Sequence, residues 1–188
     1  MRRLLDASVT VFARKGFHAT RVDDIVKAAR TSHGTFYLYF SSKDDLFREL
    51  TEEVAEQMAT LVEALGPVSP DEAGLAALRT WLGQFSEVYE RCGPVIGAWT
   101  EAEIDGTEVG RIGADVLAGF TLALGRQIAS SVDDLDPAVA SMALVAMIER
   151  YHYYALGGMV EGDRGQVLDT LAAITHAGLF GARAGVPA

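Results

Sequence analysis

The sequence predicts an all-α protein, and three observations carry that prediction. Apolar residues recur at helical spacing along much of the 188 residues, as in Leu5, Val9 and Phe12, or in Phe47, Leu50, Val54, Met58, Leu61 and Leu65. Gly66-Pro67, Gly93-Pro94 and Gly157-Gly158 punctuate the ends of such stripes. No segment shows the sustained alternation and hairpin turn of paired strands, and no repeat of fixed period appears. About nine helices are predicted.

In chain order, the first helix runs from Arg2 to Lys15, where Arg14-Lys15 suit a helix C-terminus and Gly16 supplies a left-handed cap. Thr20 stands three residues before Asp23, as in a capping box, and Val22, Ile25, Val26 and Ala29 form a second, short amphipathic helix. Ser32 caps a third helix whose inner face carries Phe36 and Phe40. Ser42 caps a long fourth, with Asp44-Asp45 at its positive end. Residues 66–71 form the clearest linker. Beyond it, one helix carries Leu78, Leu82, Phe85, Tyr89 and Cys92 and breaks at Gly93-Pro94. The next carries Ile96 and Trp99 and ends at Asp105-Gly106, and a longer one runs from Glu108 to about Ser131. Asp136-Pro137 opens another as cap and first-turn proline, and the last spans Arg164 to about Ala182, with Gly185 to Ala188 frayed.

Composition bounds the function. A 49% hydrophobic fraction with 22% charged residues is globular. There is no apolar run long enough for a membrane span, and Asp6 follows the start too soon for a signal peptide. Cys92 stands alone, so no intrachain disulfide forms; it reads as core filler in a cytoplasmic protein. The net charge of −10 is unevenly spread. Residues 1–50 hold nine basic against six acidic residues, which leaves seven against twenty in the remainder, and no lysine follows Lys43. An anion-binding head on an acidic body has this asymmetry.

Residues 32–40 place Phe36, Tyr37, Tyr39 and Phe40 among Ser32, His33 and Thr35, a conflict between burial and polarity that points to a surface gripping something polar. The short link between the second and third helices is a helix-turn-helix arrangement, whose second helix lies in a major groove. Leu4-Leu5-Asp6-Ala7, Phe12-Ala13-Arg14-Lys15-Gly16-Phe17, Val22-Asp23-Asp24-Ile25, Gly34-Thr35-Phe36-Tyr37, Tyr39-Phe40 and Ser42-Lys43-Asp44-Asp45-Leu46 resemble the N-terminal domain of the tetracycline-repressor (TetR) family over about residues 3–50. The resemblance implies a DNA-binding head at 1–46 and a ligand-binding and dimerisation domain at 47–188.

The residues fit that implication. Gly34 lets the helix approach DNA closely; Ser32 and Thr35 offer donors to phosphates or base edges, Tyr37 offers a phenol, and Lys43 offers an ammonium at a helix N-terminus. His33 is the best candidate for base readout, the alternative being a solvated surface residue; Leu38 or Tyr39 can touch a thymine methyl, and Tyr39 reads equally as half-buried core. Arg21, Arg30 and Thr31 complete the DNA-facing set. Arg30-Thr31 replaces the glycine and aliphatic pair usual in the family's turn, so Arg30 is expected to carry strain of about 1 kcal/mol or to reshape the turn.

Beyond residue 50 the resemblance is architectural. It implies a cavity, around which Trp81, Phe85, Tyr89, Trp99, Phe120, Met147, Tyr151 and Tyr154 are placed, each of them equally readable as core. It also implies pairing of the last two helices with their copies in a second subunit. The small residues Ala140, Ala143, Ala146, Ala172 and Ala177 suit such close packing. The expected partners are therefore an operator duplex, a second copy of the chain and a small, largely apolar effector, with no membrane and no cofactor. An enzyme is the rival class, but His18, His33, His152 and His176 are scattered, and no catalytic or metal-ligating set appears. The acids Glu101, Glu103 and Asp105 read as a solvated helix end. A third reading is a helical module without a ligand, which predicts a filled second domain.

Overall fold

The computed structural model describes residues 1–104, 108–132, 135–160 and 162–181, and among them the regular structure is helical. The elements are α1 (Arg2–Lys15), α2 (Val22–Ala28), α3 (His33–Tyr39), α4 (Lys43–Leu65), α5 (Glu72–Ile104), α6 (Glu108–Ala129), α7 (Pro137–Leu156) and α8 (Arg164–Phe180). The all-α expectation is met with eight helices rather than nine, because α5 continues through Pro94. Proline inside a helix removes one backbone bond and costs about 3 kcal/mol. Burial on both sides of it, by Leu82 and Phe85 before and by Val95 and Trp99 after, outweighs that local penalty. The helix end expected at Asp105-Gly106 and the tail at Gly185 to Ala188 lie outside the described residues, as do the side chains of Glu101, Glu103 and Asp105.

Contacts divide the chain into two compact units. The first comprises residues 1–58 and 89–118. Its centre is aromatic: the Phe17 ring lies tilted, 4.6 Å from Phe47 and 5.4 Å from Phe12, and Phe12 meets Phe47 edge-on at 5.7 Å. Such pairs add about 0.5–1.5 kcal/mol each beyond burial. Gly16 ends α1 with φ 74° and ψ 163°, outside the left-handed well expected for it but in a region that only glycine occupies freely. Its N–H still bonds the Phe12 carbonyl at 2.8 Å. The cap of α2 sits one residue later than Thr20: Asp24 accepts the Arg21 N–H, while the buried Thr20 hydroxyl donates to the Gly16 carbonyl. Further along, Trp99 donates its indole N–H to the Thr51 hydroxyl at 3.1 Å and so fastens α5 to α4.

The second unit comprises residues 59–88 and 119–188. There Trp81 donates to the Leu61 carbonyl at 2.7 Å and lies beside Phe85, which contacts Phe120 and the ring of His152. His152 is buried but satisfied, with Nδ1 donating to the Ile148 carbonyl and Nε2 on the Ser86 hydroxyl, both at 2.6 Å. Asp136 and Asp163 cap α7 and α8 through their carboxylates, Asp136 with the first-turn proline the sequence predicts.

Gly113 of α6 marks a close approach in the first unit, since a Cβ there would run into the Trp99 ring. Changing Gly113 to Ala is expected to lower stability by about 1–3 kcal/mol, read as a lower denaturation midpoint at an unchanged m-value.

Candidate functional site

The head builds its outward surface from two helices of seven residues and the turn between them. Helix α1 packs on α2, and α2 on α3. Phe36 and Phe40 are buried, as their spacing predicts, and anchor α3 through its inner side. Ser32 caps the helix, its hydroxyl accepting the Thr35 N–H at 3.1 Å and lying 3.1 Å from the Thr35 hydroxyl. Tyr37, Leu38 and Tyr39 point out, with exposures of 58%, 75% and 47%. A 75% exposed leucine on a helix this short has no role in its own core.

The turn between α2 and α3 is shaped by Arg30, the one non-glycine with positive φ among the described residues, at 52°. Its N–H bonds the Lys27 carbonyl at 3.2 Å, and the Thr31 N–H reaches the Val26 carbonyl at 2.9 Å. These two bonds are those of a Schellman close, with Arg30 in the position that glycine usually takes. The strain expected there is present. Arg3 adds a cation at the same helix end, donating to the Ala29 carbonyl at 3.0 Å. Arg21 and Arg30 are both exposed, and Thr31 is half-buried.

Two residues behave differently from the sequence reading. Lys43, expected at a phosphate, turns inward: its ammonium donates to the Phe17 carbonyl at 2.7 Å and the Thr20 carbonyl at 3.1 Å, 4.1 Å from the Phe17 ring centre. Partial burial pushes its pKa down, against a smaller upward pull from Asp44. His33, expected at base edges, is exposed but bonds through Nε2 to Asp23 of α2. Neither partner was visible in the sequence pattern, since both contacts join residues ten or more apart. At the start of α4, Asp45 accepts from the Ser41 N–H and hydroxyl, which hold its carboxyl below the usual range, while Ser42 accepts the Asp45 N–H as predicted. The Lys15 ammonium and the Arg21 N–H do the same for Asp24.

The residues placed around a cavity fall into both compact units. Trp81, Phe85 and Phe120 gather in the second, all buried; Tyr89 and Trp99 are buried in the first. Met147 and Tyr151 of α7 are half-buried, and Tyr154 is exposed. The second unit also has an open groove of about 420 Å³, lined by Ala64, Leu65, Ala73, Ala77, Thr80 and Trp81 among others, with no charged residue in its lining. Among the described residues no group of three His, Cys, Asp or Glu is placed to hold a metal, and no helix is long and apolar enough to cross a membrane. Burial pushes the Cys92 thiol pKa up.

Residues 4–50 match the family model described as bacterial regulatory proteins, tetR family. Over 64 residues the chain is 41% identical to the HTH-type transcriptional regulator YdgC of Bacillus subtilis (strain 168), an alignment covering 34% of this chain and 33% of that one. The chain thus spans about a third of the length of the curated relatives it matches. A TetR-like transcriptional regulator from Rhodococcus sp. RHA1 has the same fold with a TM-score of 0.69 and 25% identity, over 96% of each chain. A transcriptional regulator from Aquifex aeolicus VF5 superposes with a TM-score of 0.70 at 21% identity, covering 95% of this chain and 96% of that one.

Replacing Lys43 by Met keeps the stem but removes the ammonium from both carbonyls, leaving Phe17 with only the Thr20 N–H at 3.2 Å; a loss of about 1–2 kcal/mol is expected in the head, measured by denaturant melting. Arg30→Gly relieves the positive φ at the expense of a freer unfolded chain, and a net gain of about 0.5–1 kcal/mol should appear in the same assay.

Proposed function

We propose, for a chain whose residues 4–50 match the model of the tetR family of bacterial regulatory proteins, a sequence-specific DNA-binding transcriptional regulator, acting as a homodimeric repressor that a small, largely apolar ligand releases from its operator. In this reading residues 1–46 bind DNA, and residues 47–188 bind the ligand and dimerise.

One observation carries the DNA assignment. Glycine inside a helix costs about 0.5–1 kcal/mol relative to alanine. Yet a Cβ at Gly34 would meet only the Ser32 hydroxyl, at an ordinary 3.7 Å. Nothing within the head requires a bare backbone there. A surface that approaches from outside does, and the exposed Tyr37, Leu38 and Tyr39 follow on the same short helix. The basic excess of residues 1–50 supports a polyanion as that surface.

The dimer reading is supported by α7 and α8, which leave Val139, Met142, Tyr153, Tyr154 and Ile174 exposed, Val139 and Met142 at 68% and 66%. Exposed apolar side chains in such number on two helices favour a protein partner. Two heads then address half-sites about one helical turn apart. Ligand release follows as a population shift, in which the effector favours an arrangement of the dimer whose heads no longer match successive grooves. The mutual packing of Trp81, Phe85, Phe120 and His152 favours the second reading, a DNA-binding helical module with no effector. A thermal-shift screen of apolar compounds separates the two, since a ligand that binds only the folded state raises the melting temperature.

Selection from a random duplex pool should enrich a two-fold symmetric site with the parent protein. Gly34→Ala should raise stability by about 0.5–1 kcal/mol while weakening binding to that site at least roughly tenfold. A variant that is both more stable and equally tight would remove Gly34 from the interface.

A further inference from the structure

The first residue of α3 is already engaged. His33 Nε2, the outward nitrogen of the ring, bonds to Oδ1 of Asp23 in the first turn of α2. A carboxylate only accepts, so Nε2 carries the hydrogen and donates it. Both side chains are exposed, His33 at 54% and Asp23 at 76%. Pairs this exposed contribute little to folding, because water screens them and two side chains must be ordered to make them. The stability of the head therefore does not account for the arrangement.

Its consequence lies at the interface. A duplex carries one negative charge per about 1.7 Å of its axis. A carboxylate at the leading edge of a reading element meets that field as water leaves, and like charges brought together there oppose docking. An imidazole N–H fixed on the carboxylate satisfies one of its oxygens and interposes a neutral or cationic ring. The same bond occupies Nε2, the nitrogen at the far end of the ring, which is then not free to bond a base edge. We propose that His33 is a positioning residue which masks Asp23 while α3 enters the groove, and that base readout falls to the residues further along the helix, Leu38 foremost. This rests on the DNA-binding reading above, and it reassigns the residue that the sequence favours for base recognition.

A double-mutant cycle on the full chain tests it, using the duplex selected by the parent and single-base variants of that duplex. His33→Ala should weaken binding roughly tenfold on all of them alike, which is the signature of an unmasked like charge rather than a lost base contact. His33→Gln, which retains a donor, should recover most of the loss. In the Asp23→Asn background, His33→Ala should change affinity by less than about twofold. A change of preference at one base pair, or an equal loss with and without the Asp23 carboxylate, overturns the proposal. The pair is also read without DNA, because the His33 ring nitrogen shifts of the free protein should move on Asp23→Asn. Unmoved shifts in a protein that selects an operator overturn the masking role alone. A parent that selects no duplex overturns the DNA reading and this role together, whatever the shifts show.

Discussion

Helices of seven residues do not persist alone in water, because nucleation consumes what so few backbone bonds return. The orientation of α2 and α3 therefore depends on what surrounds them, and the central constraint is the closure of the α1–α2 loop. A single ammonium, that of Lys43, gathers the Phe17 and Thr20 carbonyls onto the first turn of α4 and itself lies over the Phe17 ring. That contact seats Phe17 between Phe12 and Phe47. With the loop closed in this way, Ile25 and Phe36 become fully buried and the outer side of α3 is fixed by geometry rather than by its own propensity.

The same economy appears on the exposed side. Four polar side chains of the head hold internal bonds, His33 and Lys43 among them against the sequence expectation: Arg3 on the Ala29 carbonyl, Lys15 on Asp24, His33 on Asp23 and Lys43 on two carbonyls. What remains facing outward on α3 is ring and methyl surface, Tyr37, Leu38 and Tyr39, with the exposed cations Arg21, Lys27 and Arg30 on α2 and the turn. In the proposed DNA-binding role, such a surface would draw specificity from shape and methyl contacts as much as from donors.

The legible part of the fold was local. Ser32 as a cap, Phe36 and Phe40 as an inward pair, Asp136-Pro137 as a helix start and a strained turn at Arg30 all depend on neighbours within four residues or on one residue's backbone range. The two small shifts, of the α2 cap from Thr20 to Arg21 and of Gly16 out of the left-handed well, arise because the Thr20 hydroxyl is drawn to the Gly16 carbonyl. Continuity through Pro94 was hidden for a different reason: tertiary burial overrode a local breaker. The roles of Lys43 and His33 were hidden because their partners lie 26 and 10 residues away in sequence. The division of the eight candidate cavity residues between two compact units had no sequence signal, since apolar spacing marks a buried side without saying which core it enters.

The chain has only two tryptophans, and each indole N–H is held by α4, Trp99 on the Thr51 hydroxyl in the first unit and Trp81 on the Leu61 carbonyl in the second. The molecule thus contains one indole per unit, each in a different polar setting. Substituting either ring with phenylalanine leaves a single indole, which, excited at wavelengths where tyrosine does not absorb, reports on one unit without an attached dye, so the cooperativity of the two halves becomes an optical measurement on the protein itself.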